Sequence, residues 1–207
     1  MQQVKVRVPA STSNLGPGFD CLGVALRLYN GITVTRGGEK SASPLAIEAA
    51  RLFFKRAKID PFAVGCTMTG EVPRSRGLGS SASVRTGVLL GLNELAGRPL
   101  TRSSIFELCA ELEGHPDNAA PAVFGGFTVV RGRRVQHFTV SSRLRFVLVI
   151  PELEISTPAA RRILPRQLRR EDAVVSSANA CFISGVRRQR ICRPNWGVRR
   201  LPAPAVP

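Results

Sequence analysis

Hydrophobic and polar positions alternate near the start of the chain, with the period of a half-buried strand. Valines occupy every second position of residues 4–8, and Pro9 is expected to end this strand. Further along, residues 25–29 and 32–35 have strand composition and flank Asn30-Gly31. That dipeptide meets the positive φ that a two-residue hairpin turn requires. The pattern therefore predicts a strand followed by a hairpin.

Apolar residues with helical spacing predict three helices. In residues 46–57 they recur at i, i+3, i+4, i+7, i+8 and i+11, the stripe of an amphipathic helix. A second helix is predicted over residues 84–95, ending at Gly97. A third begins after Thr101, a suitable cap, and stops at Gly114.

Four further segments have the composition of strands: residues 64–69, 127–130, 135–140 and 145–150. Strands and helices are mixed without a regular βαβ repeat, so we predict an α+β fold with helices layered on a largely antiparallel sheet. A chain of 207 residues, 43% of them hydrophobic, suits one domain of ordinary size or one and a half.

The formal net charge of +16 is unevenly distributed. Residues 151–207 carry 11 basic and 4 acidic side chains, against 19 and 10 in residues 1–150. Such a segment can bind nucleic acid or another polyanion. With one Trp and one Tyr, however, the chain lacks the aromatic platform of a single-strand binder, so nucleic-acid binding is not favoured.

Compartment is inferred from what the sequence lacks. No apolar run is long enough to span a bilayer, and the first residues do not have the pattern of a secretory signal. The five cysteines include no C-x-x-C pair, which argues against a disulfide framework and a zinc site. We expect a cytoplasmic globular protein with reduced cysteines and no membrane partner.

A glycine- and serine-rich run separates the predicted strand 64–69 from the following helix. Its glycines permit positive φ and close approach of the backbone to an anion, and the first amides of the helix point unpaired N–H groups at such a ligand. It lacks the ending of a P-loop and the spacing of a dinucleotide fingerprint. We predict a phosphate-binding loop, with plain helix capping as the alternative, formed by Pro73, Arg74, Ser75, Arg76, Gly77, Leu78, Gly79, Ser80, Ser81, Ala82 and Ser83.

Three other stretches concentrate polar side chains. In residues 9–20, Asn14 and Asp20 are suited to a small polar ligand, with Asp20 pairing an ammonium group. Residues 113–118 contain two carboxylates, an imidazole and an amide just after a helix. Arg161 lies in an early helical turn, where it would clamp a carboxylate bidentately. The alternatives are a solvated turn, a structural Asp-His hydrogen bond and an exposed helix face, respectively.

Together the four stretches resemble motifs of the homoserine kinases, a family of the GHMP kinase superfamily. Residues 9–20 match the family's P-A-S-S-A-N-L-G-P-G-F-D element with Thr12 and Ser13 varied, and the loop matches P-x-x-x-G-L-G-S-S-A. Glu-Gly-His-Pro-Asp-Asn at 113–118 matches E-G-H-P-D-N-x-A-P, and the segment around Arg161 matches S-T-x-x-A-R-x-x-L-P. The likeness covers roughly residues 4–185. Mevalonate and diphosphocytidyl-methylerythritol kinases are weaker rivals, because Glu-Gly-His-Pro-Asp-Asn does not fit them.

The resemblance implies phosphorylation of the L-homoserine hydroxyl with ATP and Mg²⁺, a step of threonine biosynthesis. The loop would wrap the ATP phosphates, and Ser81 and Glu113 would hold Mg²⁺, with Glu107 and Glu111 as alternative ligands. Asp117 is expected to orient the hydroxyl, because phosphoryl transfer demands positioning more than a strong base. The residues that match the family's amino-acid site are Asn14, Asp20, His115, Asn118 and Arg161. The resemblance implies that the catalytic residues are His115, Asp117 and Asn118.

The resemblance also implies the fold: a GHMP kinase N-terminal domain of the ribosomal protein S5 domain 2-like type at 1–150, and the start of a truncated ferredoxin-like C-terminal domain at 151–185. Residues 36–45 are short where the family carries a longer adenine-pocket segment. Residues 186–207 do not resemble the family. Their sequence is typical of a frameshifted or otherwise altered end, and we expect them to be disordered. A catalytically impaired fragment and a basic polyanion-binding protein remain as alternatives, and a homodimer stays open.

Overall fold

In a computed structural model of the chain, the described residues are 2–37, 43–141, 143–150, 152 and 157–185. They contain the strands β1 (Gln3–Ser13), β2 (Leu22–Arg36), β3 (Val64–Gly70), β4 (Phe127–Arg131) and β5 (Arg134–Phe138). The helices are α1 (Pro44–Ala57), α2 (Ser80–Leu95), α3 (Arg102–Glu113), α4 (Ala119–Phe124), α5 (Thr157–Arg162) and α6 (Arg170–Gly185).

The five strands form one antiparallel sheet with β2 at its centre. β1 pairs with one edge of β2, while β3 and β4 pair with the two halves of the other edge. β5 continues the sheet beyond β4. Helix α2 packs on β1 and β2, and α1, α3 and α4 pack against α2. The predicted α+β fold with an antiparallel sheet is confirmed.

The three predicted helices are confirmed as α1, α2 and α3. The backbone N–H of Ser104 donates to the Thr101 hydroxyl at the start of α3, and Gly114 ends that helix in the left-handed conformation. Helix α2 lies so close to the sheet that a side chain at Gly87 would collide with Ile32, and one at Gly91 with Val34. The two glycines therefore let the middle of α2 pack closely on the sheet.

The hairpin predicted at Asn30-Gly31 is wrong, because β2 runs straight through this dipeptide. Asn30 and Gly31 pair with Val8 and Arg7 of β1 on one side and with β3 on the other. Asn30 is buried, and its Nδ2 donates to the Ser83 hydroxyl at 2.7 Å. Pairing on both edges and a buried hydrogen bond therefore override the local preference for a turn.

One strand boundary and one whole strand also differ from the prediction. β1 continues past Pro9 with a register shift before Ser11, which the sheet tolerates because β1 is an edge strand and proline needs no partner for a missing N–H. Residues 145–150 form no strand among the described residues. Val147 and Val149 are more than 80% exposed there, so the apolar pattern lacks the neighbouring strand that it would need.

The buried Asn30–Ser83 contact supports a stability prediction. Replacing Asn30 with alanine removes the buried donor to the Ser83 hydroxyl oxygen, while the hydroxyl keeps its own bond to Ser80 O at 2.8 Å. We expect the free energy of unfolding to fall by about 1–3 kcal/mol. Urea unfolding monitored by circular dichroism measures this change. Thr33→Ala on the same strand is the control, and equal losses for the two variants would contradict the assigned role of Asn30.

Contacts divide the chain into two units. The first, Met1–Arg166, contains the sheet and helices α1 to α5. The second, Gln167–Pro207, contains α6. The predicted disordered tail, residues 186–207, lies outside the described residues. No helix in the described part of the chain is long and apolar enough to cross a membrane.

Candidate active site

A cavity of about 1270 Å³ opens in the first unit where β1, the loop before α2, the turn between α3 and α4, and helix α5 meet. Its volume is large enough for a nucleotide together with a small second ligand. Four of the predicted residues do not line it: Asp20, which contacts the lining residue Arg161, and Pro73, Ala82 and Ser83, of which the last two are buried in the core. The predicted residues that do line it are Asn14, Arg74, Ser75, Arg76, Gly77, Leu78, Gly79, Ser80, Ser81, Glu113, His115, Asp117, Asn118 and Arg161.

The predicted phosphate loop forms one wall of the cavity. Gly77 and Gly79 both have positive φ, at 69° and 62°. Gly79 caps α2 without a side-chain hydrogen bond, and the first turn of α2 carries no acidic residue. The first N–H groups of this 16-residue helix therefore have no capping side chain, and its dipole favours an anion at this end.

Apolar side chains from neighbouring elements complete another part of the wall. Leu45 at the start of α1 lines the cavity together with Cys66 and Met68 of β3. A mostly apolar surface of this kind suits the flat ring of a nucleotide base. The segment before α1 that the sequence marked as short includes residues 38–42, which lie outside the described residues.

Ser81 and Glu113 meet at the cavity wall, as the resemblance implies. The Ser81 hydroxyl donates to Glu113 Oε2 at 2.7 Å. Glu113 Oε1 accepts from Arg85 Nη1 at 2.6 Å, and Arg85 Nη2 donates to Glu48 Oε2 of α1 at 2.9 Å. Burial lowers the pKa of Arg85, but its hydrogen bonds and attraction to both glutamates outweigh burial and raise that pKa above its ordinary value. The guanidinium therefore stays charged.

The two alternative metal ligands lie elsewhere. Glu107 and Glu111 both pair with Arg56 of α1, at 3.4 Å and 3.3 Å, and neither lines the cavity. A hydroxyl and a carboxylate oxygen at Ser81 and Glu113 form the better donor pair, because Mg²⁺ prefers hard oxygen ligands and takes the rest of its shell from phosphates and water.

The turn between α3 and α4 places the hydrogen-bonded pair His115 and Asp117 at the cavity. His115 Nδ1 and Asp117 Oδ1 are 2.8 Å apart, and this hydrogen bond raises the pKa of His115 against the effect of burial. Burial raises the pKa of Asp117, but hydrogen bonds with His115, Ser13 and the Asn118 amide outweigh it and lower that pKa below its ordinary value. Asp117 therefore remains a carboxylate in a buried position.

Asn118 joins the turn to the end of β1. Ser11 donates its hydroxyl proton to Asn118 Oδ1 at 2.9 Å, and Asn118 Nδ2 donates to the Ser13 hydroxyl at 2.9 Å. The backbone N–H of Ser11 donates to Leu78 O of the phosphate loop at 3.1 Å. The phosphate loop, β1 and the Asn118 side chain are thus held in one rigid junction.

Asp20, in the loop between β1 and β2, forms an ion pair with Arg161 of α5. Arg161 Nη1 donates to Asp20 Oδ2 at 2.8 Å, and Nη2 donates to Asp20 Oδ1. The Asp20 amide donates to Asn14 Oδ1 at 2.9 Å, so Asn14 shapes this loop. The Arg161 guanidinium also lies 5.1 Å from the centre of the Phe19 ring. Each member of the ion pair is about one third exposed, so solvent reaches both side chains.

Several residues of the site were not predicted. Arg85 stands four positions after Ser81, so both fall on one face of α2, and this spacing was a usable signal. Ser11 and Ser13 lie within the N-terminal element, but nothing local indicates that they hold Asn118. Glu48 reaches Arg85 from a separate helix and has no sequence signal.

Comparison with known proteins shows first the broad class of protein to which the fold belongs. Residues 44–126 match the GHMP kinases N terminal domain. A mevalonate kinase from Methanococcus jannaschii shares the fold alone, with a TM-score of 0.56 at 16% identity, over 67% of this chain and 56% of that one. The fold is thus that of the GHMP kinases.

Within that class, the relatives are homoserine kinases. The chain is 39% identical to the homoserine kinase of Synechocystis sp. over 88% of its own length and 67% of the relative's. It is also 39% identical to that of Caldicellulosiruptor saccharolyticus, over 87% of this chain and 65% of the relative. The chain belongs to the homoserine kinase family, which confirms the resemblance inferred from the motifs.

A solved homoserine kinase agrees in fold. The Cytophaga hutchinsonii structure aligns with a TM-score of 0.77 at 23% identity, over 90% of this chain and 67% of that chain. The chain thus spans about two thirds of the length of these relatives, and slightly less, 65%, of the Caldicellulosiruptor protein.

Proposed function

We propose that the chain is a homoserine kinase that transfers the γ-phosphoryl group of ATP to the hydroxyl of L-homoserine, in the cytoplasm and as a step of threonine biosynthesis. One observation carries the proposal: a single cavity is lined by the predicted phosphate loop, by the Ser81–Glu113 donor pair and by Arg161, whose ion-pair partner is Asp20. The relatives do not favour the alternative of a basic polyanion-binding protein. Residues 1–150 would form the nucleotide-binding domain, and residues 151–185 would begin a second one.

The nucleotide is assigned to the phosphate loop and the apolar wall. Its phosphates would accept hydrogen bonds from the N–H groups at the start of α2, with positive charge supplied by Arg74 and Arg76. The base would lie against Leu45 and Met68. This orientation points the terminal phosphate toward Ser81 and the turn that follows α3.

Mg²⁺ fits the donor set at Ser81 and Glu113. Two oxygens already in contact, beside the phosphate loop, suit an ion that keeps several ligands from phosphate and water. When bound, the ion would neutralise charge on the phosphate oxygens. Glu113 would hold it with one carboxylate oxygen, and Ser81 would turn its hydroxyl oxygen toward the same point.

The amino-acid acceptor is assigned to the other charged groups. Asp20 would pair with the ammonium group and Arg161 with the carboxylate, so a bound zwitterion replaces the ion pair that these two residues otherwise form with each other. Asp117 and Asn118 would orient the hydroxyl, with His115 keeping Asp117 ionised. No strong base is required, because the transfer depends on alignment and charge neutralisation.

Replacing Arg161 with methionine tests the acceptor site. Loss of a bidentate partner for the carboxylate is expected to raise KM for L-homoserine about 100-fold, while KM for ATP changes little. Steady-state kinetics with each substrate varied measures both constants. Arg162→Met, an exposed arginine on the same helix, is the control, and a similar rise of KM in that variant would contradict the assignment.

The proposal as a whole is tested by a coupled assay of ADP release with and without L-homoserine. We expect release that depends on L-homoserine, is weak with mevalonate, and requires Mg²⁺. Nucleic-acid binding with a steep salt dependence and no turnover would favour the polyanion-binding alternative instead. Absence of both would support a catalytically impaired fragment.

A further inference from the structure

The two carboxylate oxygens of Glu113 have different partners. Oε2 accepts from the hydroxyl of Ser81, which lines the cavity, at 2.7 Å. Oε1 accepts from Arg85 Nη1 at 2.6 Å. The side chains are only 6% exposed for Glu113 and 12% for Arg85, so water cannot easily replace either bond. Both oxygens therefore have a partner, but the Ser81 hydroxyl can rotate away from Oε2, whereas the guanidinium at Oε1 is held in place.

Arg85 is fixed at both ends of its guanidinium group. Its other terminal nitrogen, Nη2, donates to Glu48 on α1 at 2.9 Å. Turning away from Glu113 would leave a buried cation without its buried partner, which is costly. Arg85 does not line the cavity, whereas Ser81 and Glu113 do. Arg85 therefore contacts the cavity only through its hydrogen bond to Glu113.

A carboxylate oxygen held by a fixed guanidinium is a poor ligand for a metal ion, because the adjacent positive charge repels the ion, so the ion is expected to bind through the other oxygen. Mg²⁺ demands a near-ideal octahedron and is usually held by single carboxylate oxygens plus water and phosphates. Ca²⁺ is larger, takes more ligands and readily accepts both oxygens of one carboxylate. The partner of Oε1 therefore affects the two ions differently.

We propose that Arg85 is a positioning residue that restricts Glu113 to one coordinating oxygen and so makes the nucleotide site select Mg²⁺ over Ca²⁺. This inference rests on the proposed function, because it requires a metal–nucleotide complex at Ser81 and Glu113. It predicts a specific change in selectivity. Removing the positive charge alone would strengthen the binding of both ions equally, whereas freeing Oε1 favours Ca²⁺ more.

The test measures dissociation constants of ADP by isothermal titration calorimetry in Mg²⁺ and in Ca²⁺, using the full chain. The quantity of interest is the ratio of the Ca²⁺ constant to the Mg²⁺ constant. We expect Arg85→Met to lower this ratio about tenfold, and Arg85→Lys, which keeps a single donor, to lower it less. If Arg85→Met does not fold, the lowered ratio in Arg85→Lys carries the test.

Arg56→Met is the matched control, because Arg56 also joins α1 to glutamates of α3 but pairs with Glu107 and Glu111, away from the cavity. Its ratio is expected to equal that of the unmodified protein. An unchanged ratio in both Arg85 variants, or equal changes for the two ions, overturns the inference alone. Failure of the unmodified protein to bind ADP with either ion overturns the proposed function as well.

Discussion

Replacing Gly79 with alanine is expected to lower kcat/KM for ATP by at least about 100-fold. The added methyl group would collide with the Ser11 hydroxyl and lie 3.1 Å from Asn118 Oδ1. It would also impose a left-handed conformation on alanine, which costs roughly 1–2 kcal/mol. Because this glycine joins the phosphate loop to the junction that holds Asn118, the collision would displace both, and displacements of about 1 Å cost this much in rate.

Gly77→Ala is the matched control for that prediction. Gly77 also has positive φ, at 69°, but a methyl group there meets nothing within 4 Å. It should therefore show the cost of the backbone conformation alone and keep most of its activity. Steady-state kinetics with ATP varied, together with thermal unfolding of both variants, separates the effects. Equal losses of activity in the two variants would contradict the contact between Gly79 and the Ser11–Asn118 junction.

Replacing Glu113 with glutamine is expected to lower kcat about 10²–10³-fold at saturating ATP and L-homoserine. The change removes the negative charge of the proposed metal ligand while keeping the shape of the side chain. It also leaves the buried Arg85 with an uncharged partner. The Mg²⁺ concentration needed for half-maximal rate should rise, and a titration of the rate with Mg²⁺ measures both effects.

Glu107→Gln separates Glu113 from the alternative ligands. Glu107 lies on the same helix and also pairs with an arginine of α1, so its replacement imposes a comparable local change. We expect kcat and the Mg²⁺ requirement of Glu107→Gln to stay close to those of the unmodified protein. A larger loss in Glu107→Gln than in Glu113→Gln would move the metal site one or two turns along α3.

The parts of this fold that follow local rules were predictable from the sequence. Thr101 and Gly114 bound α3 because capping and the left-handed conformation depend on a few neighbouring residues. The conformation of the glycine-rich loop before α2 was predictable for the same reason, since its two glycines and the following helix are adjacent along the chain. The residues at 113–118 were found because their functional groups are close in sequence.

Features that depend on distant segments were not predictable. Asn30-Gly31 has the composition of a turn, but pairing with β1 and β3 keeps it extended, and the bond to Ser83 comes from a residue 53 positions away. The Asp20–Arg161 pair joins residues 141 positions apart. Motif matching placed both of these residues at one ligand, yet their contact with each other emerges only from the fold.

The central claim is that a phosphoryl group reaches the hydroxyl of L-homoserine in this cavity. Phosphorus-31 NMR spectroscopy of the full chain with ATP, Mg²⁺ and L-homoserine tests it most directly. We predict a new phosphomonoester signal coupled to a methylene group, formed in equal amount with ADP and absent with Ser81→Ala. Formation of ADP and inorganic phosphate alone, or a phosphomonoester signal that persists undiminished in Ser81→Ala, would contradict the account.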